Sequence, residues 1–260
     1  MISARNVTVT RGERHLIDDV SISLAPGTFS VIIGPNGAGK STLMKVLCGE
    51  MAPDQGHVAY GNVDLSVFSP VQLARRRAVL PQSTVLAFPF TALEIVRMGA
   101  VAQGSRTPDE QARRALAKVG LNGFEGRAYN MLSGGEQQRV QFARALAQVP
   151  LAVENGESRV LLLDEPTSSL DLGHQISVLE TAKDFVAAGG TVLAILHDLN
   201  LAAEFADQLI VMHRGTVTAC GSALETINDE TIAQVYGVSG AVGRLPADHI
   251  AYVLPQARHR

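Results

Sequence analysis

No apolar run in this sequence comes near the length of about 18 residues that marks a membrane-spanning helix, and Val160 to Leu163 is typical of its longest stretches. A chain built this way is not expected to cross a bilayer on its own. Cysteine is scarce: Cys48 and Cys220 stand far apart and lack the Cys/His spacing of a zinc site, which fits a reducing compartment and predicts two small core residues. There is no excess of positive charge either. Lysine and arginine number 22 against 25 acidic residues, a net charge of −3, so a broad basic face for nucleic acid is not expected. The run Arg75, Arg76, Arg77 is a local exception and reads as a solvated helix face. The segment Met1 to Arg11 shows no basic stretch leading into an apolar run and cleavage site, which predicts a chain that is not exported. Internal repeats and low-complexity tracts are also missing, while 46% hydrophobic and 18% charged residues match a folded globular protein, and 260 residues are enough for one large α/β domain or a domain with a sizeable insertion.

What is present begins with short β-like runs, Ile2 to Thr10, Ser21 to Leu24 and Phe29 to Ile33, separated by Gly12 and by Pro26-Gly27. From Gly39 onward strand, loop and helix patterns alternate. Continuous aliphatic strands at Val160 to Leu163 and Thr191 to Leu196 suit a parallel sheet covered on both faces. Between these runs the pattern from Pro70 to Gln148 is mostly helical, including Asp109 to Val119 and Ser133 to Gln148, and residues 82–150 read as an inserted helical subdomain. The tail from Ser222 to Arg260 carries a helix near Asp229 to Tyr236 and reads as a short packing extension.

Gly34, Pro35, Asn36, Gly37, Ala38, Gly39, Lys40 and Ser41 follow the strand Phe29 to Ile33 and open a helix, the context that a phosphate-binding P-loop requires. The glycines let successive N–H groups converge on phosphate oxygens, and the helix N-terminus adds a favourable dipole. Lys40 then reaches the β- and γ-phosphates, Thr42 continues the nucleotide-binding turn, and the Ser41 hydroxyl ligates Mg²⁺. A second element agrees with the first. Val160 to Leu163 runs into two adjacent carboxylates, Asp164 and Glu165, at the strand end where ligands bind in open α/β sheets. Asp164 is the Mg²⁺ partner and Glu165 the group aimed at the attacking water.

Leu132, Ser133, Gly134, Gly135 and Glu136, followed by Gln137, Gln138 and Arg139, resemble the signature motif of ABC transporter ATP-binding subunits. Ser133 is placed to cap a helix whose first N–H groups Gly134 and Gly135 leave open, a second anion cradle. The resemblance covers nearly the whole chain. It implies an N-terminal antiparallel β subdomain and a RecA-like parallel-sheet core over 1–81 and 151–221, a helical subdomain over 82–150 and an extension over 222–260. It also implies a homodimer in which the signature of one copy closes over the ATP of the other. Gln82 resembles the glutamine that contacts Mg²⁺ and the attacking water. Ser169, Leu170 and Asp171 resemble the D-loop at the dimer seam, and His197 the histidine that holds the γ-phosphate.

Two departures accompany the match. Glu136 stands where glutamine is commonest, a variant similar to that of iron-chelate and cobalamin importers. Arg11 stands where many relatives carry an aromatic that stacks on adenine, and a guanidinium plane can also stack on a base. The segments Leu86 to Thr91, Val235 to Gly237 and Val253 to Pro255 resemble haem importer ATP-binding proteins. That likeness implies an ATPase at the cytoplasmic face of a bacterial inner membrane, using ATP and Mg²⁺, with two membrane-spanning permease subunits and a periplasmic substrate-binding protein. Ferric-siderophore or cobalamin import is the alternative within transport, and a soluble ABC ATPase the alternative outside it.

Overall fold

The computed structural model describes residues 1–84, 88–247 and 249–259. Strands β1 (Ile2–Arg11) and β2 (Arg14–Leu24) form a hairpin and lead into β3 (Phe29–Ile33), the P-loop and helix α1 (Lys40–Leu47). Next come β4 (Gln55–Tyr60), β5 (Val63–Asp64), α2 (Pro70–Arg76) and β6 (Arg77–Leu80). Helices α3 (Ala92–Gln103), α4 (Pro108–Lys118) and α5 (Gly134–Gln148) follow, then the strands β7 (Val153–Glu154), β8 (Glu157–Ser158) and β9 (Val160–Asp164). The chain continues through α6 (Leu172–Ala187), β10 (Thr191–Ile195), α7 (Leu199–Phe205), β11 (Gln208–His213) and β12 (Thr216–Gly221). It closes with α8 (Ala223–Thr226) and α9 (Asp229–Tyr236). No helix among the described residues is long and apolar enough to cross a membrane.

An antiparallel sheet in the order β2-β1-β4-β5 packs over a six-stranded sheet in the order β12-β11-β3-β10-β9-β6, which is parallel except where β11 pairs antiparallel with β12, among the described residues. The expected mixed α/β fold, with an antiparallel sheet and a parallel-stranded core, is the one observed. Alternation along the parallel strands explains why both faces are apolar. Val31, Leu161, Leu163, Val192 and Ala194 point into a core shared with the helices, while Ile32, Leu162, Leu193 and Ile195 point into a second core shared with α1 and the antiparallel sheet.

Three expectations need correction. Arg77–Leu80 interrupts the helical stretch as a strand, because Ala78 and Leu80 alternate into the core and pair with Leu161 and Leu163 of β9. The arginine run is therefore not one solvated face: Arg75 is exposed, Arg76 lies over the Phe68 ring at 4.8 Å and 3.6 Å from Glu157, and Arg77 is half-buried in β6. Cys48 is buried as expected, but Cys220 is exposed, since β12 is an edge strand with an open flank. The tail folds back along α7, where Arg258 pairs with Glu204 and with Glu180 and lies over the Phe205 ring.

Candidate functional site

The site lies where the parallel strands end. Leu80 of β6 is in register with Leu163 of β9, and Ile195 of β10 with Asp164, so Gln82, Glu165 and His197 leave three neighbouring strands at one level. The P-loop leaves β3 at the same end, because Ile32 pairs with Ile195. Parallel pairing alone thus brings together residues that are more than a hundred positions apart.

Within the P-loop the backbone fits only glycine at two points. A Cβ on Gly34, whose φ is 149°, would stand 2.2 Å from the Met212 carbonyl, and one on Gly39, at φ 98°, 2.6 Å from the Leu16 carbonyl. Gly39 also begins α1 without a side-chain cap, so the first N–H groups of that helix remain free to face an anion. Lys40 is buried and donates from Nζ to the carbonyls of Gly34 at 2.7 Å and Pro35 at 3.0 Å. Burial lowers the pKa of its ammonium, opposed by the charges of Glu165 and Asp164.

Asp164 is 7% exposed and faces the Ser41 hydroxyl at 3.5 Å. Burial raises its pKa, the neighbouring Glu165 charge adds to that, and the Ser41 hydrogen bond opposes both. Glu165 turns the other way. Its φ of 52° ends the strand abruptly, and its Oε1 lies 2.7 Å from Nε2 of His197. Gln82 is exposed in the loop after β6.

The signature motif forms at the start of α5. Leu132 is buried, and Ser133 Oγ accepts from Glu136 N at 3.3 Å while Glu136 Oε2 accepts from Ser133 N at 2.8 Å. This reciprocal pair is a capping box, which gives the variant glutamate a structural reason. Its carboxyl is held below the usual range by the Ser133 N–H. Beside it runs the D-loop of the same chain: a Cβ on Gly135 would stand 3.1 Å from the Ser169 carbonyl and 3.3 Å from Leu170. Asp171 caps α6 through His174 N at 2.9 Å and meets the His174 ring at 2.8 Å. Among the described residues, no hydrogen bond joins Ser133–Glu136 to the P-loop of its own chain.

Arg11 ends β1, exposed and paired across the hairpin with Arg14. The cleft of about 290 Å³ beside the outer P-loop is lined by Arg14, His15, His213 and Arg214 together with Pro35 to Ala38, and not by Arg11. The turn between β11 and β12 brings Arg214 into this cleft from far along the chain, a placement that the sequence pattern does not show. In the segment resembling haem importers, Leu86 and Ala87 lie outside the described residues; Phe88 is exposed and stacks edge-on with Phe90.

A family model described as "ABC transporter" matches residues 17–168, more than half of the chain. The chain belongs to the ABC transporter family. As an ABC ATP-binding subunit it is an ATPase. It is 76% identical over 260 residues to the hemin import ATP-binding protein HmuV of Agrobacterium fabrum (strain C58), a match that covers 100% of both chains. It is also similar to the ABC transporter cassette MJ0796 solved as a dimer, with 28% identity, a TM-score of 0.76, and coverage of 86% of this chain and 99% of that one. The same cassette bound to ADP and Pi aligns with a TM-score of 0.74 and 28% identity, over 86% of this chain and 99% of that one. Nucleotide binding by this ABC subunit follows from the family.

Proposed function

We propose that this subunit hydrolyses ATP at two sites shared between two copies of itself, and so energises hemin uptake across a bacterial inner membrane. The full-length identity of 76% to a hemin import ATP-binding protein carries the substrate assignment. The Glu165–His197 contact at 2.7 Å supports the chemistry. Glu165 takes or orients the proton of the attacking water, with His197 orienting the carboxylate and reaching for the γ-phosphate. Lys40 exchanges its bonds to the Gly34 and Pro35 carbonyls for the β- and γ-phosphates. Residues 34–42 wrap those phosphates with backbone N–H groups, and Arg11 stacks beside the base.

Asp164 and Ser41 suit a magnesium ion, because a buried carboxylate facing a hydroxyl is a set of hard oxygen donors. Gln82 completes the set. When bound, the ion neutralises charge on the phosphate oxygens.

The N-terminus of α5, at Ser133, Gly134 and Gly135, closes over the ATP of the partner copy. The absence of a hydrogen bond between this cradle and the P-loop of its own chain, among the described residues, supports that pairing. Ser169, Leu170 and Asp171 line the seam. Residues 82–150 move as one helical subdomain against the core of 1–81 and 151–221, and residues 222–260 brace the core. Two membrane-spanning permease subunits receive that motion at the cytoplasmic face of the membrane, and a periplasmic binding protein delivers the substrate.

Reconstitution of the subunit with its permease and binding protein tests the assignment. Hemin is expected to stimulate ATP hydrolysis and to accumulate in the vesicles. Stimulation by a ferric siderophore or cobalamin with no response to hemin would move the assignment to those substrates.

A further inference from the structure

The main-chain carbonyl of Glu165 accepts from three groups: Ser168 Oγ at 3.2 Å, Gln138 Nε2 at 3.3 Å and Ser168 N at 3.4 Å. Two of these donors come from the turn that follows Glu165. The third comes from the signature helix, and it bridges two parts of the fold. Gln138 is half-buried on α5, five residues beyond the cap Ser133, and of its amide only the NH₂ end can face a carbonyl.

The acceptor is not an ordinary residue. Glu165 is one of the few non-glycine residues with positive φ, a backbone state that persists only where its surroundings hold it. Its carbonyl orientation and its side-chain direction are linked through the same two backbone dihedrals, so a group that anchors the carbonyl also aims the carboxylate at His197. The same helix passes close to the chain just beyond that turn at a second point, since a Cβ on Gly135 would stand 3.1 Å from the Ser169 carbonyl.

We propose that Gln138 is a positioning residue for hydrolysis, which couples the signature helix of a chain to the carboxylate of that same chain. The proposal rests on the composite site described above. Under that reading, the N-terminus of α5 grips the ATP of the partner copy, and Gln138 passes the position of the helix to Glu165 at the chain's own ATP. Each copy thereby senses the nucleotide of its partner before hydrolysing its own. No contact between the two ATP molecules is needed, because α5 is a rigid element that meets both sites.

The test uses the full chain with four substitutions, Gln138→Met, Gln138→Glu, Gln138→Lys and Ser133→Arg. Gln138→Met keeps the volume and removes the donor, and is expected to lower kcat about 5- to 10-fold, the scale of one lost hydrogen bond, with KM for ATP within about twofold. The Hill coefficient for ATP should fall toward one. Gln138→Glu turns an acceptor toward the carbonyl and should lower kcat further, whereas Gln138→Lys restores a donor of sufficient reach and should recover most of the rate. Thermal melting of each variant separates aim from folding. A wild-type kcat and Hill coefficient in Gln138→Met would overturn the proposal, as would a rate that tracks melting temperature with no recovery in Gln138→Lys. Ser133→Arg separates this from the composite reading: if it leaves ATP-dependent association and hydrolysis unchanged, the shared site itself fails and the coupling fails with it. If it abolishes them while Gln138→Met behaves as wild type, only the coupling fails.

Discussion

His197 Nε2 and Glu165 Oε1 lie 2.7 Å apart, joining the ends of two adjacent parallel strands. A carboxylate can only accept, so the imidazole carries its proton on Nε2 when Glu165 is ionised. The histidine therefore fixes the direction of the carboxylate through that N–H, and does so from an exposed position that a phosphate can reach.

Glu165→Gln is expected to bind ATP as the wild type does and to lose turnover by about 10²- to 10⁴-fold, the range for a positioned acid–base group. Lys40→Ala should lose nucleotide binding itself, since it removes a charge-assisted contact with the phosphates. Equilibrium binding and steady-state hydrolysis on the two variants separate the roles. Near wild-type turnover in Glu165→Gln would remove that residue from the chemistry.

Mixed dimers test the sharing of sites. Pairing a Lys40→Ala chain with a Ser133→Arg chain, all carrying Glu165→Gln to prevent hydrolysis, leaves one site with two intact halves. Pairing a doubly substituted chain with an otherwise intact one leaves each site with one defect. ATP should drive association of differently tagged chains more strongly in the first pairing. The reverse order would mean that each chain completes its own site, and equal association that the Lys40 and Ser133 halves do not combine across the seam.

Asp164 is a charge kept at a cost to stability. A carboxyl with a raised folded-state pKa disfavours folding when ionised, so the penalty is present above that pKa and relieved as pH falls through it. Asp164→Asn should therefore raise the melting temperature of the nucleotide-free chain at neutral pH, with a difference that narrows in acid, and should lower Mg²⁺-dependent hydrolysis. A lower melting temperature at neutral pH would show that the Ser41 contact outweighs burial.

The capping box at Ser133 predicts tolerance of one substitution and not another. Glu136→Gln preserves an acceptor for Ser133 N and should retain hydrolysis, while Glu136→Ala frays the first turn of α5 and should weaken ATP-dependent dimer formation. Crosslinking yield with ATP distinguishes the two.

The P-loop, the Asp164-Glu165 strand end and the signature were legible because each is a local pattern with its own backbone demands. Where four residues had to be assigned without a full period, as at Arg77–Leu80, the neighbouring helix dominated the reading. The hairpin of β7 and β8 was missed although Asn155 and Gly156, with φ 54° and 75°, form the Asn-Gly turn that favours such hairpins; its strands are only two residues each. Gln138 lay within the signature resemblance, but its contact with the Glu165 carbonyl carried no signal, and neither did the place of Arg214 beside the P-loop. Both depend on which distant residue the fold brings alongside, and spacing along the chain does not encode that.

The left-handed backbone at Glu165 also limits what mutation can reach this position. Asparagine, aspartate and glycine enter that region readily, whereas valine, isoleucine and threonine meet a steric penalty there. Genetic drift at residue 165 is consequently filtered twice, once by the reaction and once by the peptide geometry. An inactive allele carrying a β-branched residue would report both losses together.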